Sequence, residues 1–220
     1  MNNLSIRIIR ASEKDVNVFA NLYFEFYKEL RSRQGWSLHD FNEYLEDAKN
    51  MFKRGDVIFL AVYNSNPVGF IRISEREGSY WIEDIFVSPN YRGKGIGKLL
   101  VKTAENYIKN YDSSAYIMVL PQDRKALDFW IHMGYNILNS IELVKDFGET
   151  RLGLNPRYVE IIGKKLFIAR WKNEDYSDDE KKFLDLLEKF YEIGGTDKVF
   201  LQLVNEALEK WINNKIEKKR

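Results

Sequence analysis

The feature that most constrains this chain is a run of three glycines at every second position, which joins an apolar strand to a helix. The run occupies residues 92–97 of the longer segment WIEDIFVSPNYRGKGIGKLL, residues 81–100. The three glycines are Gly93, Gly95 and Gly97. Glycines at this spacing let the backbone approach a ligand closely and turn successive N–H groups towards one point. The helix N-terminus adds a partial positive charge, and Arg92, Lys94 and Lys98 add full charges. Together these groups are suited to bind a diphosphate.

The spacing of the glycines excludes two common nucleotide-binding loops. A P-loop ends in Gly-Lys-Ser/Thr, but here Gly97 and Lys98 are followed by Leu99, so the hydroxyl that binds magnesium is absent. The dinucleotide fingerprint G-x-G-x-x-G lacks its third glycine, whether it is counted from Gly93 or from Gly95. The diphosphate is therefore expected to belong to a ligand of another class.

Composition excludes several other kinds of site. The chain has 34 basic and 33 acidic residues, and this net charge of +1 gives no general attraction to nucleic acid or to anionic membranes. It has no cysteine, which excludes disulfides, thiolate metal sites and a cysteine nucleophile, and its two histidines, His39 and His132, are far apart. The N-terminus does not resemble a signal peptide, and no run approaches the roughly 18 apolar residues of a membrane span. We therefore expect a cytoplasmic protein with no metal, membrane or nucleic-acid partner.

Hydrophobic periodicity predicts an N-terminal domain, residues 1–148, that contains both helices and strands. Alternating apolar residues predict strands, and apolar residues three and four positions apart predict helices. The predicted strands are 5–10, 57–63, 68–74, 80–87, 115–120 and 135–144. The predicted helices begin at Ser12, at Ser37 with Asp40 as its capping partner, after the glycine run and at Asp123. The order β-α-α-β-β-β-α-β-α-β predicts an α+β fold, with a mixed, mostly antiparallel central sheet and helices on both faces.

Residues 149–220 form the second predicted domain, a C-terminal extension. Two apolar runs flank Gly163-Lys164 and predict a β-hairpin. The runs are 157–162 and 165–171. A capping box at 177–180 predicts one amphipathic helix, and a second follows Gly194-Gly195. Such helices must bury their apolar faces, so we expect them to pack on the first domain or to form a homodimer interface. A binding module for a protein substrate is the alternative.

The glycine run resembles the R-x-x-G-x-G motif of the GNAT superfamily of N-acetyltransferases, and the resemblance covers residues 5 to about 145. In that family the loop binds the pyrophosphate of coenzyme A, and the end of the preceding strand pairs through its backbone with the pantetheine arm. The resemblance therefore implies acetyl-CoA as the cofactor. The residues implied to bind it are Ile85, Phe86, Val87, Arg92, Gly93, Lys94, Gly95, Ile96, Gly97 and Lys98.

A second segment, residues 123–135, is similar to the family motif N-x-x-A-x-x-F/L-Y-x-x-x-G-F, which lies beside the cofactor. Ala126 and Phe129 match it, whereas Asp123 replaces the usual asparagine. Trp130 stands where many family members have a tyrosine that protonates the leaving thiolate. The resemblance implies that all four side chains lie at the cofactor site.

Two adjacent acids, Glu83 and Asp84, lie on the strand that leads into the loop. Acetyl transfer to an amine needs a base, a polarised carbonyl and a proton for the departing thiolate. Neighbouring side chains of a strand point to opposite faces, so we expect these two acids to face opposite sides of the sheet. An acid among apolar neighbours has a raised pKa, which suits a base near neutral pH. The resemblance implies that the glutamate is a base or an amine-binding group; a structural ion pair is the alternative for both acids.

The proton donor for the thiolate is less well defined by the sequence. The indole N–H of Trp130 cannot serve as a proton source. Tyr135 is the candidate nearby, with core packing as the alternative, and solvent can also protonate a thiolate whose pKa is about 8.5. An aromatic cluster stands where the family builds its acceptor site, and its members are expected to form the core or to line the acceptor pocket. The cluster is Tyr23, Phe24, Phe26, Tyr27 and Trp36.

These features predict an acetyl-CoA-dependent N-acetyltransferase that acetylates a primary amine of a small molecule or protein by direct attack in a ternary complex. The alternative is a coenzyme A-binding regulatory or sensor protein with little turnover, which the missing tyrosine favours. A nucleic-acid-binding protein that uses the basic residues of the loop is disfavoured by the near-neutral net charge.

Overall fold

A five-stranded sheet with the order β1-β2-β3-β4-β5 runs through the N-terminal part of the chain. The strands are β1 Ile6–Arg10, β2 Val57–Tyr63, β3 Asn66–Arg76, β4 Ser79–Val87 and β5 Tyr116–Ile117. Neighbouring strands are antiparallel except β4 and β5, which are parallel. This computed structural model describes residues 6–145, 157–168, 182–183, 186, 189–191 and 193–217. The sheet confirms the predicted mixed, mostly antiparallel arrangement.

Two tight turns produce the antiparallel pairing of β2, β3 and β4. Asn64 and Ser65 join β2 to β3 with φ values of 45° and 67°. Glu77 and Gly78 join β3 to β4 with φ values of 51° and 81°. Two consecutive residues with positive φ match the right-handed twist of the flanking strands, so turns of this kind favour hairpins.

Four helices cover the two faces of the sheet. They are α1 Val16–Gln34, α2 Phe41–Lys53, α3 Ile96–Ile108 and α4 Arg124–His132. Helices α1 and α2 pack against Phe70 and Phe86, and we call this side the α1/α2 face. Helices α3 and α4 pack against Ile71 and Ile82 on the opposite side, the α3/α4 face. The prediction of helices on both faces is therefore confirmed.

The predicted strand at 135–144 is wrong. Residues 135–145 have no regular secondary structure, and Ile137, Leu143 and Val144 are 89%, 71% and 70% exposed. The strand predicted at 115–120 is reduced to the two residues of β5. Alternating apolar residues show that a segment is able to pair, but a strand forms only where a partner supplies backbone hydrogen bonds. Within the described part of the chain, β5 pairs only with β4.

The predicted C-terminal hairpin is present as a separate two-stranded sheet. Strand β6, Arg157–Ile161, pairs antiparallel with β7, Lys164–Ile168. The turn consists of Ile162 and Gly163, with φ values of 52° and 66°, so it lies one residue earlier than the predicted Gly163-Lys164. Residues 169–171 of the predicted second strand lie outside the described residues.

The chain divides into two compact units, Met1–Asn173 and Glu174–Arg220. In the second unit, residues 182–183, 186 and 189–191 are helical, and α5 spans Asp197–Glu217. The capping box at 177–180 lies outside the described residues, as does the domain boundary predicted at 148/149, which stays a prediction. Among the described residues, no helix combines the length and the apolar character that crossing a membrane requires.

Candidate active site

The C-terminal half of β4 has an edge without a strand partner. Strand β4 pairs with β5 only over Trp81 and Ile82. The N–H of Ser88 donates to a carbonyl of β3 at 2.8 Å. Backbone groups of successive strand residues point alternately to the two sides, so those of Ile85 and Val87 face away from β3. No described strand pairs with them there, and a ligand with amide groups could extend the sheet at this edge.

The glycine loop follows β4 directly and leads into α3. A short 3₁₀ turn at Pro89–Tyr91 comes first, and Gly93 and Gly95 then adopt left-handed φ values of 74° and 79°. Gly95 is the N-cap of α3, and its carbonyl accepts the first helical hydrogen bond, from Leu99 N at 3.1 Å. The N–H groups of residues 96–98 therefore have no acceptor within the helix. Free N–H groups at a helix N-terminus are suited to bind an anion, which is the role that the sequence predicts for them.

Arg92 points back towards α1 rather than over the glycines. Its Nε donates to the Val87 carbonyl at 2.7 Å, and its two terminal nitrogens donate to the carboxylate of Glu29 at 3.0 and 2.5 Å. The guanidinium also lies 5.6 Å from the centre of the Phe86 ring. Phe86 itself is buried in the core of the α1/α2 face, so its side chain is not free to contact a ligand.

The two lysines of the loop differ in their surroundings. The Nζ atom of Lys94 lies 5.2 Å from the ring centre of Tyr91 and 5.8 Å from that of Tyr63, within cation–π distance of both. These contacts draw Lys94 towards the end of β2. Lys98 is exposed on the first turn of α3, where its charge adds to the field of the helix N-terminus.

The second predicted motif lies against the glycine loop. A Cβ atom placed on Gly97 would be 3.5 Å from the ring of Phe129, so this ring packs on the first turn of α3. Asp123 caps α4 by accepting from Ala126 N at 3.1 Å, and it also accepts from Arg33 of α1 at 3.1 and 3.4 Å. The structure thus brings the two motifs together, and it gives Asp123 a capping role and an ion pair.

The ring of Trp130, near the end of α4, packs against the ring of Tyr135, which follows that helix. Their ring centres are 5.0 Å apart, and Trp130 is only 6% exposed. The Tyr135 hydroxyl is buried and makes no hydrogen bond. Burial raises the pKa of Tyr135, and the nearby Glu105 carboxylate raises it further, so the phenol stays protonated at neutral pH.

A β-bulge turns both predicted acids towards the same face of the sheet. The register pairs Arg72 with Asp84 and Ile73 with Ile82, which leaves Glu83 as an extra residue in β4. Asp84 bonds to Arg72, and Glu83 bonds to Ser74 two positions further along β3. Alternate residues of β3 share the α1/α2 face, so both acids lie there. The expectation that they face opposite sides is wrong because a bulge interrupts strict alternation.

Asp84 belongs to a buried chain of ion pairs. Arg72 donates to Asp84 at 2.6 Å and to Asp56 at 2.6 Å, and Asp56 also accepts from the exposed Arg54 at 2.9 Å. The side chains of Arg72, Asp56 and Asp84 are 10%, 4% and 9% exposed. Burial raises the pKa of Asp84, whereas the Arg72 guanidinium opposes this shift. Burial lowers the pKa of Arg72, but the carboxylates outweigh it and raise that pKa overall.

Glu83 is closer to solvent than Asp84. It accepts from Ser74 Oγ and from Arg76 Nε, the latter at 2.7 Å, and its side chain is 12% exposed. Arg76 is 47% exposed and lies over the ring of Trp81 at 4.8 Å. Both acids are therefore in ion pairs, and Glu83 is the one whose partner can move into solvent.

The predicted aromatic cluster packs on the same face as the two acids. Phe19, Tyr23 and Phe70 form its buried centre, whereas Trp36 is 54% exposed beyond the end of α1. Burial raises the pKa of Tyr23 and of Tyr27, with the Asp84 carboxylate as a further cause. Most of the cluster is thus core, and Tyr27 is a partly buried member of it whose pKa the Asp84 carboxylate also raises.

The sequence did not single out the cations that hold these acids, or Glu29 and Arg33 of α1. The register set by the β3–β4 turn would place Arg72 opposite Glu83, so its observed pairing with Asp84 follows only once the bulge is known. The contacts of Glu29 with Arg92 and of Arg33 with Asp123 join residues 63 and 90 positions apart. No local sequence signal predicts such pairs.

Comparison with known proteins agrees with this geometry. The sequence model of the acetyltransferase (GNAT) family matches residues 18–135. An uncharacterised N-acetyltransferase of Methanocaldococcus jannaschii is 29% identical over 142 residues, which are 58% of this chain and 59% of the relative. The match thus spans less than two thirds of that relative.

Two further similarities add to the family match. A peptidyl-lysine N-acetyltransferase of Salmonella typhimurium is 30% identical over 126 residues, which are 54% of this chain and 81% of the relative. The solved structure of aminoglycoside N-acetyltransferase AAC(6')-Iy in complex with CoA has a TM-score of 0.54 and 14% identity, over 67% of this chain and 98% of that one. At this identity the structural likeness shows the fold alone.

Proposed function

Since the chain belongs to the acetyltransferase (GNAT) family, we propose that it transfers the acetyl group of acetyl-CoA to a primary amine by direct attack in a ternary complex. The observation that carries the proposal is the order of features along β4. A bulge with two acids, an edge without a strand partner and a glycine loop follow one another over residues 83–97.

The cofactor-binding role falls to the β4 edge and the glycine loop. The backbone of Ile85 and Val87 is suited to pair with the amides of the pantetheine arm, because it lacks a strand partner on that side. The N–H groups at the start of α3 and the charge of Lys98 are suited to the diphosphate. A side chain at Gly93 or Gly95 would strain the loop, since both glycines are left-handed.

The amine-binding and proton-accepting roles fall to Glu83 and Asp84. Acetyl-CoA supplies a thioester, whose carbonyl carbon gains a C–N bond as the C–S bond breaks. The attacking amine must first lose a proton. Both carboxylates lie on the face that carries Tyr27, and burial raises the pKa of Asp84, which brings it closer to the range of a useful base.

Tyr135 is the candidate donor of the proton that the departing thiolate takes up. Its hydroxyl is buried near Glu105 and carries its proton at neutral pH, because burial and this carboxylate raise its pKa. The same shift makes it a weaker acid than a free phenol, so it opposes transfer of the proton to the thiolate. Solvent is the other source, since a thiol is a good leaving group with a pKa of about 8.5.

The proposed acceptor is an amine on a small molecule or on a protein lysine. A relative over 54% of the chain is named a peptidyl-lysine N-acetyltransferase, which supports a lysine side chain as one acceptor class.

The test is release of free thiol from acetyl-CoA in the presence of a panel of amines and lysine peptides, together with calorimetric CoA binding. Gly95→Ala is expected to weaken CoA binding about tenfold, through strain of about 1–3 kcal/mol in the loop. Gly78→Ala is the matched control, because Gly78 is also left-handed with nothing within 4 Å of an added Cβ, but lies in the β3–β4 turn. CoA binding without thiol release from any amine would favour the regulatory alternative, and absence of CoA binding would contradict both.

A further inference from the structure

The last two turns of α1 carry two ion pairs on one side of the helix. Glu29 and Arg33 are four residues apart, so they lie on one face. Glu29 binds Arg92 of the loop after β4, and Arg33 binds Asp123 at the start of α4, the helix that follows β5. The end of α1 is thus attached to both sides of the opening between β4 and β5.

The contact with Arg92 uses the groups that a bound cofactor would need. The guanidinium forms a two-pronged contact with the Glu29 carboxylate, at 3.0 and 2.5 Å, while its Nε holds the Val87 carbonyl at 2.7 Å. Arginine binds phosphate with the same fork that it offers to a carboxylate. Val87 is also one of the two residues whose backbone faces the edge without a strand partner.

We propose that Glu29 is an internal anion that competes with the cofactor diphosphate for Arg92, and that cofactor binding breaks one of the two attachments of the C-terminal end of α1. The inference rests on the proposed function, because it needs a diphosphate at the glycine loop. With both anions beside one guanidinium, like charges would repel each other, so the weaker contact opens. Glu29 acts through Arg92 and is therefore a positioning residue that sets cofactor affinity.

The two ion pairs differ in burial, and this decides which one opens. The side chains of Arg92 and Glu29 are 44% and 38% exposed, whereas those of Arg33 and Asp123 are 25% and 16% exposed. Exposed pairs are screened by water and salt more strongly than half-buried ones. The contact at Glu29 opens, and the contact at Arg33 keeps α1 attached to α4.

Movement of the α1 end would reach the acceptor side through the loop that follows it. Arg31 donates to the Ser37 carbonyl at 3.0 Å, and its own carbonyl accepts from Trp36 N at 2.9 Å. These bonds make the start of the α1–α2 loop move together with the helix end. Loss of the Glu29 contact would therefore loosen the start of the α1–α2 loop, which then depends on the Arg33–Asp123 pair alone among the ion pairs described at the end of α1.

The test compares CoA binding by the full-length protein and its Glu29→Gln variant in calorimetry. The variant is expected to bind CoA about two- to fivefold more tightly, which corresponds to the strength of one exposed ion pair. Glu25→Gln is the matched control on α1 and is expected to leave the affinity unchanged, because the partner of Glu25 among the described residues is the exposed Lys28, at 3.7 Å.

Two further measurements separate competition for Arg92 from a general change in charge. In an Arg92→Ala background, Glu29→Gln is expected to have no effect on CoA affinity. Acetyl-pantetheine, which lacks the diphosphate, is expected to give the same KM with the wild type and with Glu29→Gln. The proposal would be overturned if Glu29→Gln tightened CoA binding as much in the Arg92→Ala background as in the wild type. It would also be overturned if Glu29→Gln lowered the KM for acetyl-pantetheine by the same factor.

Hydrogen exchange of the wild type tests the loosening of the α1 end without any variant. Saturating CoA is expected to speed amide exchange at residues 29–37, and unchanged or slower exchange there would overturn the proposal. If the wild type binds CoA and releases thiol while Glu29→Gln binds CoA no more tightly, the inference fails and the proposed function stands. If the wild type does not bind CoA, both fail.

Discussion

At the scale of single residues, the acids of the β4 bulge have the most direct chemical consequence. Burial raises the pKa of Asp84, so protonated Asp84 is the form that the folded environment favours. Its contribution to the free energy of unfolding is therefore greatest below the pKa of the unfolded chain, and is lost as the pH rises through the folded value. The rate of a reaction that uses ionised Asp84 as a base changes in the opposite direction: it increases as the pH rises through the same pKa.

If Asp84 is the base, kcat/KM for acetyl transfer is expected to fall as the pH drops through its raised pKa. The midpoint of this acid limb should lie above the ordinary aspartate value of about 3.9. Asp84→Asn is expected to abolish the limb, whereas Glu83→Gln should lower kcat/KM and leave the limb in place. A pH–rate profile of thiol release checks this, and a limb that disappears only with Glu83→Gln would assign the base to Glu83.

Arg72 is expected to be essential for stability because it neutralises Asp84 inside the protein. Arg72→Leu should lower the free energy of unfolding by about 3–5 kcal/mol at pH 7, since it leaves a buried carboxylate without its cation. Loss of Arg72 also removes the charge that lowers the pKa of Asp84, so Asp84 becomes protonated more readily as the pH falls. The loss of unfolding free energy in Arg72→Leu should therefore be smaller at lower pH.

Urea unfolding at pH 7 and pH 5 measures the effect of Arg72→Leu. Arg76→Leu is the control, because Arg76 pairs with Glu83 but is 47% exposed, and its loss should cost about 1 kcal/mol or less. Equal losses in the two variants would show that burial does not distinguish the two ion pairs.

The faces to which Glu83 and Asp84 point could not be predicted from the alternation of residues along β4. The segment IEDIFV alternates without interruption, so nothing in it predicts that Glu83 is a bulge. A bulge depends on the register with β3, which is a property of the pair of strands and not of one segment. The residue types of the site were predictable, whereas the face that the acids share was not.

At the scale of elements, the approach of β3 to β4 depends on one glycine. A Cβ atom on Gly69 would lie 2.5 Å from the Phe86 carbonyl oxygen and 3.2 Å from Val87 Cα, both of which are backbone atoms. The two strands must therefore separate to accept any side chain there.

Gly69→Ala is expected to lower the free energy of unfolding by about 1–3 kcal/mol, as in other overpacked sites. It should also weaken CoA binding, because the displaced backbone includes Val87, which belongs to the proposed cofactor edge. Urea unfolding and calorimetry measure the two effects. Wild-type stability in the variant would contradict the close approach of β3 and β4.

Element prediction succeeded where a segment determines its own structure. The helix predicted to begin at Asp123 is capped by that side chain, and the turn at Gly78 has the expected glycine. The helix predicted to begin at Ser37 begins three residues later, where Asp40 is the N-cap. It failed at 135–144, where an apolar pattern has no described partner strand. Pairing requires a second strand, and single-segment patterns contain no information about that strand.

At the scale of the whole molecule, the order of elements was sufficient to predict the fold class. Strands that alternate with helices in this order leave few arrangements of a mixed sheet, and the family match over residues 18–135 agrees with it. Every candidate catalytic and cofactor-binding residue that the sequence predicts lies between residues 83 and 135. The use of the C-terminal residues could not be predicted to the same degree, because no motif there specifies a partner.

Removal of residues 174–220 is expected to leave the CoA dissociation constant within about twofold, because the candidate site lies wholly in the first compact unit. If the extension forms a homodimer interface, the shortened chain should also have a smaller oligomeric state. Calorimetry and size-exclusion chromatography with light scattering measure both. An unchanged oligomeric state would contradict the homodimer role, and lost CoA binding would show that the first unit needs the second.

The edge of β4 without a strand partner also has a consequence for handling the protein. Exposed strand edges are templates on which a second chain can add a strand, which leads to aggregation. A pantetheine arm bound along Ile85 and Val87 would occupy that template. We therefore expect the protein to remain dispersed during storage with CoA and to aggregate faster without it, so that a bound cofactor would also protect the chain against self-association.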